Sequence, residues 1–142
     1  RQAIDTYMAD PSGFTVNESW RGELLKISHR SYTDGFINGH TDEQSQVYAT
    51  SSYQQTHDFV GLTQRYDAET SRLYIEQRNN IKQGEQIEIL EPSGVLTQLT
   101  LSDMRNDQGE NITVAPHPHQ IISIPCKCPI VPNALVRRPC HG

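Results

Sequence analysis

Acidic side chains are missing from the last stretch of this 142-residue chain: Glu110 is the final one, and Lys127, Arg137 and Arg138 follow it unopposed. That tail of +3 leaves −8 for the residues before it, the two making up the net −5. A basic tail on an acidic body is an asymmetry suited to docking, while the negative total speaks against a broad, counterion-releasing grip on nucleic acid. Cysteine is scarce. Cys126, Cys128 and Cys140 are an odd number crowded into the last 17 residues, which is not how a disulfide framework is laid out and points to a reducing compartment. Long apolar runs are absent too. None approaches the ~20 residues of a membrane helix, and no basic segment leads into an apolar one as in a secretory signal. A cytoplasmic protein without a membrane partner is expected. Apolar residues make up 35% of the chain and charged residues 20%, less than ordinary globular usage. This leaves room for one modest core, a barrel of about 80 to 90 residues with a helical appendage, and excludes two catalytic domains.

Ala3, Ile4, Tyr7 and Met8 recur at helical spacing, yet no Ser, Thr, Asp or Asn precedes them to satisfy the first free N–H groups. The expectation is a helix entered part-way, in a piece of a longer polypeptide. Asp10-Pro11-Ser12-Gly13 ends it, and Thr15-Val16-Asn17-Glu18 offers a capping box for a second helix. Val16, Trp20, Leu24 and Ile27 form the apolar stripe of that helix, which should stop near Ser28. His29 to Asp58 is long for a connection and rich in Ser, Thr, Gln and Gly, with Tyr32, Phe36, Tyr48 and Tyr53 to pin it to a surface. It reads as an ordered, functional loop.

From Phe59 the period changes to two. Leu73 and Ile75, Ile87 and Ile89, Thr97 to Leu101, Ile112 and Val114, and Ile122 and Ile124 alternate with polar neighbours. Turn chemistry separates them at Asp67–Thr70, Asn79-Asn80, Pro92-Ser93-Gly94 and Asp107-Gln108-Gly109. With no segment long enough for a helical crossover, the pattern predicts a small closed antiparallel β-barrel of about six strands. The fold class is mainly β with an α-helical N-terminal lead-in. The division is 1–57 for lead-in and loop and 58–142 for barrel and basic C-terminal tail.

Two sets of residues go beyond pattern. Ile81-Lys82-Gln83-Gly84-Glu85, followed by the alternating Gln86–Ile89, resembles the turn and strand of the barrel in domain two of elongation factor Tu. Gly84 there would supply positive φ without a Cβ clash. Ser28–Phe36, Phe59-Val60-Gly61, Ile75–Asn79 and Ala115–Pro118, in that order, resemble the C-terminal region of the collagenase-like peptidases, family U32. Arg1–Asp5 is similar to the last helix of that family's preceding catalytic barrel. The resemblance implies a non-catalytic accessory domain for substrate recognition or protein interaction, attached to an upstream catalytic domain of the same polypeptide. Its partner would be a protein or peptide substrate. Several relatives act in RNA modification, including hydroxylation of a tRNA uridine, so an RNA-contacting module of a tRNA-hydroxylating enzyme is the alternative.

The candidate binding or domain-interface residues are His29, Arg30, Tyr32, Gly35, Phe36, Arg78 and His117. His29, Arg30, Tyr32 and Phe36 would cap the second helix and pack the loop, with Arg30 free to fork a carboxylate or phosphate. No catalytic residue, metal or cofactor is assigned. His29 and Asp34 with a serine make a triad only on paper, since no Gly-x-Ser-x-Gly elbow occurs. His117, His119, Cys126, Cys128, Cys140 and His141 lack zinc-site spacing, and surface histidines and thiols are the simpler account. Arg65, Arg72, Arg78 and Lys82 interleave with Tyr66 and Tyr74 as an RNA-binding barrel would need. Glu69, Glu76 and Glu85 lie close enough in sequence to neutralise much of that patch, which favours a solvated face.

Overall fold

The structure, a computed structural model, describes residues 1–29, 32, 37, 39 and 55–140. It divides into two units, Arg1–His57 and Asp58–Gly142.

In the first unit, α1 spans Gln2–Ala9 and α2 spans Glu18–Leu24. No side chain caps α1, whereas the Asn17 side chain accepts from the Ser19 N–H and so starts α2 two residues later than a Thr15 cap would. The helices are tied by rings rather than by a core. Phe14 meets Tyr7 edge-on at 5.4 Å and stacks on Trp20 at 6.2 Å, while Val16, Leu24 and Ile27 of the expected stripe stay exposed. Among the described residues, no helix is long and apolar enough to cross a membrane.

The second unit holds the strands: β1 His57–Asp67, β2 Arg72–Gln77, β3 Ile81–Lys82, β4 Gln86–Leu90, β5 Leu96–Thr100, β6 Val114–Ala115, β7 Ile121–Pro125 and β8 Leu135–Pro139. The period of two is realised where it was sharpest. Leu73, Ile75, Ile87, Ile89, Ile122 and Ile124 all face one core with Val60, Leu101, Met104 and Val136, each burial contributing roughly 1.5–3 kcal/mol. The turns follow the predicted chemistry. The Asp67 carboxylate accepts from the Glu69 N–H and the Thr70 hydroxyl, and Gly84, Gly94 and Gly109 all adopt positive φ.

The expected closed barrel is corrected. Six strands form a curled antiparallel half-barrel in the order β5-β4-β8-β1-β2-β7, so β5 and β7 are ends of the order and do not pair. Closure fails because β5 stops at Thr100: the next residues turn inward, burying Leu101 and Met104, with Asp103 at φ 41°. From this segment Arg105 reaches β7, exchanging two backbone bonds with Ser123 at 3.0 and 2.8 Å. The strand expected at Ile112–Val114 shrinks to β6, which pairs with β3 in a separate two-stranded sheet. The segment read as a basic tail is also different. Its Leu135–Pro139 is β8, an inner strand between β4 and β1. Arg137 bonds Glu88 at 2.8 Å, and Arg138 bonds Glu85 at 3.0 Å, so two of the three tail cations are neutralised locally.

Candidate nucleic-acid interface

The site begins with a fault in one ladder. β1 pairs with β2 at Leu62↔Glu76 and Thr63↔Ile75, but the next pair is Arg65↔Tyr74, leaving Gln64 as an extra residue. In an unbroken ladder Gln64 would oppose Tyr74, and Arg65 would point at the core opposite Leu73. The bulge reverses the two faces from that point on, as bulges do when they re-aim a side chain. Arg65 turns outward, its guanidinium carbon 3.5 Å from the centroid of the Tyr74 ring. Tyr66 turns inward, packing on the core with its hydroxyl donating to the Cys126 carbonyl at 3.2 Å.

The row continues across the sheet. Tyr74 pairs with Ser123 of β7, and Ser123 with Arg105. Arg72, two residues from Tyr74 and on the same face, donates to the Ser123 hydroxyl at 3.1 Å and carbonyl at 2.8 Å. It also bonds the Asp103 carboxylate at 2.7 Å and carbonyl at 2.6 Å. Arg105 reaches the same carboxylate at 3.2 Å and keeps a side chain 42% exposed. The hydrogen bond from Arg72, then that from Arg105, holds the Asp103 carboxyl below its ordinary value.

At the other end of β2, Glu76 collects three partners: Gln64 at 2.6 Å, His119 at 2.7 Å and Arg78 at 2.9 Å. Its side chain is only 17% exposed, yet the bond to His119 outweighs burial and holds its carboxyl below the usual range. The backbone locks this corner. Gln77 accepts from the His119 N–H at 2.8 Å and donates to the Gln120 carbonyl at 2.9 Å, while its buried side chain donates to the Ala115 carbonyl at 3.0 Å. The N–H groups of Arg78 and Asn79 both reach the Val60 carbonyl. Three of the segments singled out in the sequence, Phe59–Gly61, Ile75–Asn79 and Ala115–Pro118, therefore belong to one substructure. Gly61 is required there, because a Cβ would stand 2.5 Å from the Glu76 carbonyl oxygen.

The candidate residues separate accordingly. Arg78 lies in the Glu76 cluster, and His117 is exposed nearby in sequence to His119, its carbonyl accepting from the Gln120 N–H at 3.1 Å. His29 and Tyr32 meet in the first unit, rings stacked at 4.7 Å, with the Tyr32 hydroxyl donating to the Leu24 carbonyl at the end of α2. Arg30, Gly35 and Phe36 lie outside the described residues. Of the basic patch, Arg65 and Tyr74 meet, Arg72 is buried beneath Asp103, and Tyr66 has left the face. Arg105, Ser123, Asp103 and the His119–Glu76 pair were not foreseen as parts of one face; Asp103 and Arg105 sit in an irregular segment without a period to reveal them. Cys126 is buried, which pushes its thiol pKa up, and its Sγ contacts the Cys128 carbonyl. No group of three or more metal-binding side chains gathers among the described residues.

Residues 55–137 match the family described as Peptidase family U32 C-terminal domain. The tRNA hydroxylation protein P1 of Bacillus subtilis is 30% identical over 97% of this chain and 33% of its own length. The tRNA hydroxylation protein P of Escherichia coli is 30% identical over 82% of this chain and 25% of its own length. The chain thus spans a third or less of these curated relatives. Among solved structures, the C-terminal domain of a candidate U32 peptidase from Geobacillus thermoleovorans superposes with a TM-score of 0.55 at 28% identity, covering 57% of this chain and 99% of that domain.

Proposed function

The chain belongs to the U32 peptidase C-terminal domains, and we propose that it is the RNA-contacting accessory domain of a tRNA-hydroxylating enzyme whose chemistry resides in another part of the polypeptide. The observation that carries this reading is the row in which the exposed Arg65, with Tyr74 against it, and the half-exposed Arg105 flank the buried Ser123, found in a chain whose curated relatives are named tRNA hydroxylation proteins. Guanidinium groups suit phosphate and the flat faces of bases. The reading of peptide recognition for a collagenase-like peptidase has less support. The curated relatives' names point to tRNA and none to a peptide, and strand addition is left with the β5 edge, since at β7 the Ser123 N–H and carbonyl are already bonded to Arg105. The elongation-factor likeness is proposed only for the turn at Gly84, whose φ of 90° suits it.

Binding of the chain to unmodified tRNA, followed by fluorescence anisotropy as salt is raised, tests the reading. A dissociation constant of order 10⁻⁴ to 10⁻⁶ M is expected for contacts of this kind. It should weaken with salt, and weaken about tenfold or more in an Arg65→Glu/Arg105→Glu variant. Absence of binding at low salt, or an unaffected double variant, would overturn it.

A further inference from the structure

Resting on the RNA reading above, we infer that the face takes an unpaired nucleotide, its base laid on the open side of the Arg65 guanidinium, and does not grip a duplex. A guanidinium has two flat faces. Tyr74 covers one at 3.5 Å, and because Arg65 as a whole is an exposed residue the other is the face we assign to a ligand. A base arriving there completes a tyrosine–guanidinium–base stack, which any base can enter because each has a π face. The bulge at Gln64 is what makes this geometry, since without it Arg65 would oppose Leu73 on the core side.

Charge decides against a duplex. Arg65, Arg72, Arg78 and Arg105 share the face with Asp67, Glu76 and Asp103. All three of these carboxyls are held in their charged form by hydrogen bonds. Four cations against three anions cannot line the two phosphate strands of a helix, where affinity comes from many released counterions. They can hold a short stretch. The backbones of Arg65 and Arg105 stand three strand spacings apart in the row, about 14 Å at ~4.8 Å per strand, a span that a base on Arg65 and a nearby phosphate on Arg105 would bridge within a short stretch of single strand. That guanidinium has Asp103 on one side and solvent on the other.

The test compares a fluorescein-labelled single-stranded RNA octamer of mixed sequence with the same octamer annealed to its complement, using the whole chain. The single strand is expected to bind at least tenfold more tightly. Arg65→Lys keeps the charge and loses the plane. It should weaken single-strand binding on the order of tenfold, the size of one lost base stack, and leave the dependence on salt unchanged. Tyr74→Leu should do the same, with an unaltered melting temperature of Arg65→Lys serving as the check that the fold is intact. Equal binding of both RNAs, or an Arg65→Lys variant that binds like the parent, would overturn the stacking inference and leave the RNA reading standing. Binding to neither octamer nor tRNA would remove the RNA reading and the inference together.

Discussion

Arg137 and Arg65 both stand on the side of the sheet turned away from the core, in rows that cross neighbouring strands, and the two rows use arginine in opposite ways. In the first, Gln98 of β5, Glu88 of β4 and Arg137 of β8 are in register. Arg137 and Glu88 are each 10% exposed, and Gln98 donates to the second carboxylate oxygen at 3.2 Å. In the second, Arg65 leans on Tyr74 in the open, and Arg105 at the far end of the row keeps much of its surface in water. A charge taken out of water must be matched bond for bond or it destabilises the fold. A charge left in water contributes little to stability and remains available to a ligand. The contrast teaches that exposure and partnering, not residue type, separate the structural arginines of this domain from the candidate binding ones.

The largest effect should come from breaking the buried row. Glu88→Ala removes the carboxylate from a buried arginine and is expected to cost about 3–5 kcal/mol, read as a lowered midpoint in urea unfolding. Replacing Glu88 and Arg137 together by leucine should recover most of that loss. If Glu88→Ala costs no more than Arg65→Ala, the distinction between the rows collapses.

Gly61→Ala should come next. The added methyl would meet the Glu76 carbonyl oxygen at 2.5 Å, so β1 and β2 must part, at roughly 1–3 kcal/mol for such overpacking. Thermal melting checks it, and loss of tRNA binding at temperatures where the variant is still folded would tie the corner at Glu76 to the outward row.

Acid should weaken the Glu76 corner by a smaller amount. Glu76 has a folded pKa below its ordinary 4.5, chiefly through His119. Its contribution is therefore complete above that value and is lost as pH falls through the lowered one. The urea midpoint of the parent should drop as pH falls below the ordinary 4.5, and Glu76→Gln should make the drop shallower. A variant as acid-sensitive as the parent would assign the effect to Asp67 or Asp103, which are lowered as well.

Arg65→Ala should change stability least, within about 0.5 kcal/mol, while costing RNA affinity. Urea unfolding and anisotropy on one preparation separate the two effects. A stability loss as large as that at Glu88 would make Arg65 a structural residue.

Much of the β half was legible because burial follows alternation. Leu73/Ile75, Ile87/Ile89 and Ile122/Ile124 could point inward together only as strands, and the glycines at 84, 94 and 109 sit where turns need positive φ. Legibility ended where contacts are distant in sequence or where the period breaks. Leu135–Pro139 carries Arg137 and Arg138 and looks like a solvated tail until Glu88 and Glu85 are known to lie beside them. Of the candidate site, Arg65, Tyr74 and Arg78 were named beforehand, but Glu76, the partner of Arg78, is also held by His119, 43 residues further along the chain.

Local chemistry, then, determined that this chain makes short strands with one apolar side, and where it turns between them, because side-chain period and backbone φ are properties of neighbouring residues. Which strands are neighbours, that the half-barrel stays open between β5 and β7, and that one extra residue at Gln64 puts Arg65 rather than Tyr66 on the outside were decided only in three dimensions. Register is a relation between two segments and is settled by the packing of both.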